Sequence, residues 1–493
     1  MYSFLISIAA LIVGYVLYGR IAERVFGARK DRITPAYEKC DGVDYVPLPT
    51  WKVFTIQFLN IAGTGPIFGA IMGAKFGPAC YLWIVLGSIF AGAVHDYFSG
   101  MLSLRYYGSS LPDILSHYLG GNKVRPYISV FLILFMLLVG TVFVYSPAII
   151  LGDMTQIMPT TAGSIMFWVV VIFIYYVVAT LLPIDKLIGR VYPVFAVALI
   201  FMAAALMVGL LIRWPSIPEL WDGLYNRAPS VGVEGQNIFP CLFITVACGA
   251  ISGFHGTQSP LMARCLKNEK HGRPIFYGAM IMEGMVALVW AAVSSYFFFD
   301  GGIQETGATG VQAPSVVTAV AQSWLGTLGG ILAILGVVAA PVTSGDTTLR
   351  SARLIFSELI RVDQKSYRNR ILVALPLFSA AMLLLWFNIA DEDGFNVIWR
   401  YFGWMNQTLA SCTLWAISVW LARHSKYPHW LMSMIPAIFM TSVCITYICV
   451  DSTGFGLPQT WTPYIAVATV IVCVVVGFGI VRKNRGIYEN SIN

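Results

Sequence analysis

Long apolar runs separated by short polar breaks fill this chain almost from end to end. A run of about twenty apolar residues, rising about 1.5 Å per residue as a helix, crosses a hydrocarbon core ~30 Å thick. Reading the runs between breaks predicts about thirteen such spans. They cover residues 3–25, 51–74, 78–104, 126–151, 164–182, 188–212, 237–264, 274–299, 326–349, 371–388, 395–422, 430–450 and 461–481. The seventh is long and interrupted. The stretch 313–324 is too short to span, yet it sets Val316, Val317, Val320, Ala321 and Trp324 on one helical face. That pattern predicts an interfacial or re-entrant helix over the outer mouth.

Charge tests the count independently. With the N-terminus outside and loops alternating, 27 of the 31 Lys and Arg fall on the inner side or at inner helix ends, leaving Lys75, Arg213, Arg227 and Arg400 outside. Cytoplasmic loops collect such residues, and a missed span would scramble the alternation from that point onward. No basic region precedes the first apolar run, and Arg20, Arg24, Arg29, Lys30 and Arg32 follow it. The first run therefore reads as a retained helix with its N-terminus outside rather than a cleaved leader.

Two spans are expected to break at mid-depth. In the second, Gly63-Thr64-Gly65-Pro66 interrupts the run, and in the seventh, 247–256 is rich in glycine and is followed by Pro260. Proline removes a donor and biases its predecessor away from helix, and glycine weakens the helix further. One such kink is ordinary. Two, five spans apart, imply that a second set of five helices enters from the opposite side, each set opening on a discontinuous helix. That arrangement predicts an inverted repeat with a midplane substrate site and alternating access. The expected divisions are an N-terminal helix and loop (1–50), a first five-helix repeat (51–212), an extracellular loop (213–236), a second repeat (237–422) and two C-terminal helices with a tail (423–493).

Composition narrows the functions. Apolar residues make up 58% of 493 and charged residues 11%, against roughly 45–50% and about 25% in soluble chains. The net charge of +7 follows from the basic inner loops, and no basic stripe interleaved with aromatics suggests nucleic acid. The nine cysteines form no C-x-x-C pair, so buried thiols are expected rather than zinc ligands or disulfides. No nucleotide loop or hydrolase motif suggests an enzyme.

Several segments resemble the carbon starvation protein A (CstA) family. They are 41–47 (DGVDYVP), 62–66 (AGTGP), 91–96 (AGAVHD), 242–255 (LFITVACGAISGFH), 277–283 (YGAMIME), Asp346 with 350–353 (RSAR), and Asn406-Gln407. The resemblance runs from about residue 41 to 421, and the match in the seventh span is its most specific part. It implies the amino acid–polyamine–organocation superfamily, with a leucine-transporter-like five-plus-five core. It further implies uptake of peptides or pyruvate, proton-coupled in a close branch, across the bacterial plasma membrane. The chain departs from the pattern in a short 300–312 loop and in His95, where the family pattern has Gln.

Candidate site residues follow. Gly63, Thr64, Gly65, Gly249, Ser252 and Gly253 are expected to cradle substrate against bare backbone amides. His255 binds a substrate carboxylate or titrates near neutral pH, or else is a satisfied histidine donating to a freed carbonyl. Asp96 lies deep in the third span, where an ionisable group faces a cavity or a partner; it and the adjacent His95 are candidates for proton coupling or gating, or else Asp96 forms a structural pair with His95 or a helix–helix hydrogen bond. Glu283 in the eighth span is a second candidate proton carrier, or else reaches toward the inner surface. Thr343, Ser344 and Asp346 mark a possible cation site, because hydroxyls at this place in leucine-transporter-like proteins hold sodium; alternatively, Asp346 pairs with Arg350. Asn406 and Gln407 either gate substrate or bond between helices. The sequence thus predicts a secondary transporter for a small carboxylated nutrient, coupled to H⁺ or Na⁺, with no cofactor and no nucleic-acid partner. A channel or a nutrient receptor without coupled transport remains the alternative.

Overall fold

Within hydrocarbon a backbone must satisfy its own hydrogen bonds, and helix does so inside one segment. In the computed structural model every described regular element is accordingly helical. It describes residues 1–42, 45–181, 188–302, 313–364, 366–391, 394–425 and 427–484. Part of the 41–47 motif, most of the 300–312 loop, the extreme tail and Lys186, Lys365, Lys426 and Arg485 of the charge count lie outside these residues.

The principal helices are α1 (Tyr2–Phe26), α2 (Thr50–Ile61), α3 (Gly65–Ala74), α4 (Ala79–Arg105), α5 (Arg125–Thr155), α6 (Thr161–Leu181) and α7 (Ile188–Arg213). They continue with α8 (Gly253–Ala263), α9 (Gly278–Phe299), α10 (Ala313–Leu332), α11 (Ala339–Ile360), α12 (Tyr367–Ala390), α13 (Gly394–His424), α14 (Leu431–Val450) and α15 (Thr462–Asn484). By length and hydropathy, 10 helices among the described residues can each cross a membrane, and α2 with α3, bent by 49°, make an eleventh. Two more spans expected from the sequence fall short of that measure for visible reasons. Residues 237–264 come in pieces: a π-helical turn Ile238–Leu242, a short helix Phe243–Thr245, and α8. Helix α13 is 31 residues long but carries Arg400, Asn406, Gln407 and Arg423, which lower its hydropathy.

Contacts between connecting segments sort them to two ends of the bundle. At one end the Met1 ammonium pairs with Glu219, Asn237 Nδ2 donates to Gln459 Oε1 at 3.1 Å, and Arg400 donates to Ser452 at 3.4 Å. At the opposite, basic end Arg264 Nε donates to Gly108 O at 3.0 Å, and Arg125 reaches Asp113 at 2.9 Å and Glu358 at 3.4 Å. Each of these contacts joins segments that alternating passes place on the same side.

Residues 27–42 and 45–49 form a strap across the basic end. Leu48 N–H donates to Cys265 O at 3.2 Å, Thr34 Oγ1 to Leu266 O at 2.5 Å, and Asn268 Nδ2 to Lys30 O at 2.9 Å. Glu269, 1% exposed, accepts from Arg29 N–H at 2.9 Å and Arg105 Nε at 3.3 Å, with Arg32 at 3.7 Å.

Inside the bundle α3 packs on α9, α8 on α4, α2 and α13, and α11 on α5 and α2. The outer helices α1, α6, α12 and α15 turn Leu17, Ile174, Trp386 and Val475 outward, as a surface meeting acyl chains would. On α10, Val316, Val317, Val320 and Ala321 are buried as the one-face pattern predicts. Trp324 sits under Arg213 at 4.9 Å and beside Tyr296 at 5.3 Å. The chain then turns at Gly326 (φ 54°, ψ −140°), a conformation that needs glycine, and passes on to α11. The nine cysteines, all among the described residues, form no disulfide; six are buried, Cys412 and Cys449 half-buried, and Cys40 exposed.

Candidate functional site at two broken helices

The first break lies where Pro66 and its flanking glycines place it. Helix α2 stops at Ile61, Ala62 leaves the helical region (φ −81°, ψ 55°), and α3 begins at Gly65. The second is longer: Val246 (φ −89°, ψ 66°) ends the lead-in helix, and α8 starts at Gly253 after an extended Ser252 (φ −141°, ψ 126°). His255 therefore sits in the first turn of α8 and not in the unwound stretch, because helix resumes at Gly253, inside the glycine-rich stretch 247–256.

Unwound peptide groups at this depth need partners, and named side chains supply them. Trp83 Nε1 donates to Val246 O at 3.0 Å and Ser88 Oγ to Gly249 O at 3.1 Å, both from α4. Asn406 Oδ1 accepts from Phe254 N–H at 2.9 Å and Ser252 Oγ at 3.1 Å, capping α8. Gln407 Nε2 donates to Phe243 O at 3.0 Å. At the first break Ser344 Oγ approaches Leu59 O at 3.3 Å and Asn60 O at 3.4 Å. Asn406 and Gln407 thus hold the second broken helix from α13. Trp83 and Ser88 escape a sequence reading, because neither stands out within an apolar span.

The glycines expected to cradle substrate also let elements meet. A Cβ on Gly65 would overlap Cys248 Sγ, so the two breaks touch here. One on Gly253 would overlap the backbone of Asn406 and Ala410. Gly63 faces the Phe143 ring and Gly249 the Ala287 methyl, at 2.9 and 2.7 Å from a built Cβ. The obstacles differ in kind, which gives a paired prediction. Gly65→Ala meets a side chain, so its loss of folded protein should be largely relieved by a second change, Cys248→Gly. Gly253→Ala meets backbone, and no single side-chain deletion should relieve it. Yield of monodisperse protein on gel filtration measures both.

Four ionisable side chains run in a line beside the second break. Helix α4 carries a π-helical turn at Ser88–Gly92, immediately before His95 and Asp96; such bulges often occur at functional sites. His95 Nδ1 lies 2.7 Å from Asp96 Oδ1, and His255 Nδ1 lies 2.8 Å from Asp96 Oδ2. His255 Nε2 is 3.3 Å from Glu283 Oε2 on α9, without the alignment of a hydrogen bond. All four are 0% exposed. A carboxylate only accepts, so two Nδ1 contacts on an ionised Asp96 assign the hydrogen to Nδ1 of both imidazoles. Each Nε2 is then a lone pair or a protonation site, and neither oxygen of Glu283 accepts a hydrogen bond. Among the described residues no three His, Cys, Asp or Glu side chains converge as metal ligands.

The residues expected at a cation site point different ways. Thr343 Oγ1 donates to carbonyls of its own helix, Ala339 and Ala340. Ser344 faces the first break, and Asp346 pairs with Arg350 at 3.4 Å.

Comparison with known proteins places this arrangement. The family description "Carbon starvation protein CstA" matches residues 1–166, 148–328 and 301–447. The chain belongs to the CstA family. CstA relatives include a protein named peptide transporter CstA from Escherichia coli, 26% identical over 89% of this chain and 79% of its own. A peptide transporter CstA from Bacillus subtilis is 25% identical over 92% and 89%. An uncharacterised membrane protein of Haemophilus influenzae is 43% identical over 60% of this chain and 91% of its own. In fold, this CstA-family chain is similar to a manganese transporter from Eremococcus coleocola, with TM-score 0.59, 12% identity, and coverage of 90% of this chain and 99% of that one. It is also similar to a Na⁺-coupled sialic acid symporter, with TM-score 0.50, 11% identity and 96% of each chain covered.

Proposed function

We propose that this CstA-family protein is a secondary active transporter that imports a small carboxylated nutrient, a short peptide or pyruvate, by proton-coupled alternating access. The observation that carries the reading is the buried line His95–Asp96–His255–Glu283, which joins a broken helix to two neighbouring spans. A net charge at this depth is costly. One proton taken up at His255 Nε2 or Glu283 from one side of the membrane and released to the other, with Asp96 ionised beside His255, would change the net charge beside the second break by one unit without moving backbone. Coupling then follows if that charge biases which end of the bundle opens.

The substrate carboxylate is assigned to the start of α3. Thr64 Oγ1 is fully buried and has no hydrogen-bond partner, and it stands where N–H groups of the first turn of α3 collect partial positive charge. The corresponding turn of α8 is engaged, since Phe254 N–H is bonded to Asn406. Two inverted five-helix repeats (51–212 and 237–422), thirteen passes, an external N-terminus, a cytoplasmic C-terminus and a bacterial plasma-membrane location belong to the same proposal. The names of the relatives support peptides as cargo. A channel or an uncoupled receptor gives no reason for an aligned run of buried acids and imidazoles.

Proteoliposomes decide it. Labelled dialanine and labelled pyruvate are offered under separate inward proton and sodium gradients. Uphill accumulation under the proton gradient is expected. Accumulation driven by sodium alone would assign coupling to the oxygens of Ser344, Leu59 and Asn60 instead. Flux that only equilibrates would mean a channel, and binding without flux a receptor.

A further inference from the structure

Among the buried polar atoms without a hydrogen-bond partner, several belong to α2, the first break and α8. Gln57 on α2 has neither Oε1 nor Nε2 hydrogen-bonded, Asn60 one turn later has a lone Oδ1, and Thr64 at the break has a lone Oγ1. These three follow at i, i+3 and i+7. Gln258, one turn beyond His255 on α8, gives its Nε2 to Thr257 at 3.0 Å and leaves Oε1 unpartnered. The four residues are 0–2% exposed, and α2 packs along α8. On the α11 side Ser344 is occupied with the Leu59 and Asn60 carbonyls. Asn406 shows a contrasting use of a carboxamide in this bundle, its Oδ1 accepting from Phe254 N–H and Ser252 Oγ of the broken helix, whereas Gln407 gives its Nε2 to Phe243 O and, like Gln258, leaves its Oε1 unpartnered.

A buried carbonyl oxygen left without a donor is unfavourable, and more so where water is scarce. Nothing in the packing of an apolar helix requires three carboxamides here. Their chemistry reads as a demand for donors: three amide oxygens accept, and only N–H or O–H groups satisfy them. The result does not depend on which way round the Gln57 amide lies, since both its polar atoms lack partners.

We propose that Gln57, Asn60, Thr64 and Gln258 form a substrate-binding strip that takes N–H donors and thereby selects a short peptide over an oxo acid. A peptide zwitterion brings an ammonium and an amide N–H for the amide oxygens, an amide carbonyl for Gln57 Nε2, and a carboxylate for Thr64 and the α3 terminus. Pyruvate brings acceptors alone and would leave the amide oxygens as they are. A site built to bond a donor discriminates strongly against a ligand lacking it. The inference rests on the transport reading for the ligand being cargo, but its test does not require transport.

Binding of dialanine, alanyl-(N-methyl)alanine and pyruvate is measured on the purified full chain by thermal shift, alongside uptake in proteoliposomes. Variants are Gln57→Met, Asn60→Leu and Gln258→Met, each confirmed monodisperse on gel filtration. Dialanine should bind at least about tenfold more tightly than the N-methylated peptide or pyruvate, and each variant should weaken dialanine about tenfold to a hundredfold while leaving pyruvate unchanged. If pyruvate binds as tightly as dialanine, or all three variants bind dialanine like the wild type, the strip is overturned while the transport reading stands. If dialanine binds with this pattern but is never taken up, the strip survives and the transport reading fails.

Discussion

Asp96→Asn is expected to abolish proton-driven accumulation while leaving a folded protein that still exchanges substrate across the bilayer. Asp96 holds two imidazoles at once, His95 at 2.7 Å and His255 at 2.8 Å. Asparagine has the same shape but offers one acceptor and one NH₂. One imidazole therefore keeps its partner and the other meets a donor, so it must move its hydrogen to Nε2 or turn away. If His255 is that ring, its Nε2 lone pair no longer faces Glu283. Hydrogen bonds to charged groups contribute roughly 1.5–3 kcal/mol, and losing the charge removes that from both contacts, so coupling should fall by about a hundredfold or more. The measurement is uphill uptake of labelled dialanine under an acid-outside gradient, set against counterflow at equal pH. Accumulation at the wild-type level would remove the carboxylate from coupling and, with it, the main support for a proton-driven cycle. His255→Gln provides an independent check, since it breaks the same line at the helix that bends; it should also lose accumulation and keep counterflow.

How far this centre is visible in the sequence depends on how local its signals are. The break at Ala62–Thr64 is legible because proline and glycine act on the residues beside them, and structure and sequence agree there to within two residues. The second break is legible in existence but not in extent. Gly253 and Gly256 look like helix breakers, yet Gly253 is where α13 lies against α8 backbone, so tertiary packing restores helix that local propensity would deny. Asp96 and Glu283 each stand out alone as acids at depth. That His255 lies between them is a fact of the fold, since Asp96 is 159 residues from His255 and on a distant helix. Gln57 and Asn60 draw no notice at all, because two amides in a span read as ordinary polar substitutions until their missing partners are known. Trp83 is the reverse case: its side chain looks like lipid-facing bulk, and only the position of the Val246 carbonyl gives its N–H a purpose. The fold is thus written mainly in periodicity and breakers, and the site in cross-helix pairings that periodicity does not encode.

Glu269→Ala should produce the second large effect, at the basic end. Its carboxylate is buried and gathers Arg29 N–H, Arg105 and Arg32. Arg105 in turn lies 4.1 Å over the Phe26 ring and donates to Gly27 O at 2.9 Å, so one acid ties the end of α1, the end of α4 and the strap to the segment following α8. Removing one member of a buried ionic cluster leaves the remaining charges without a partner and typically costs about 3–5 kcal/mol. The thermal transition of the purified protein should therefore fall markedly, and Glu269→Gln, which keeps the shape and some acceptor capacity, should fall less. A double change with Arg105→Met should cost less than the sum of the two single changes, because each alone strands the other's charge. The strap also covers Cys265, which is 8% exposed and whose carbonyl accepts from Leu48. Maleimide labelling read by peptide mass mapping separates Cys265 from the exposed Cys40 and reports whether the strap has lifted. Faster Cys265 labelling in Glu269→Ala, with Cys40 unchanged, is the expected result. Equal labelling together with an unchanged transition would show that the cluster neither stabilises the bundle nor holds its basic end shut. The segment that carries Glu269 continues directly from α8, the helix bearing His255.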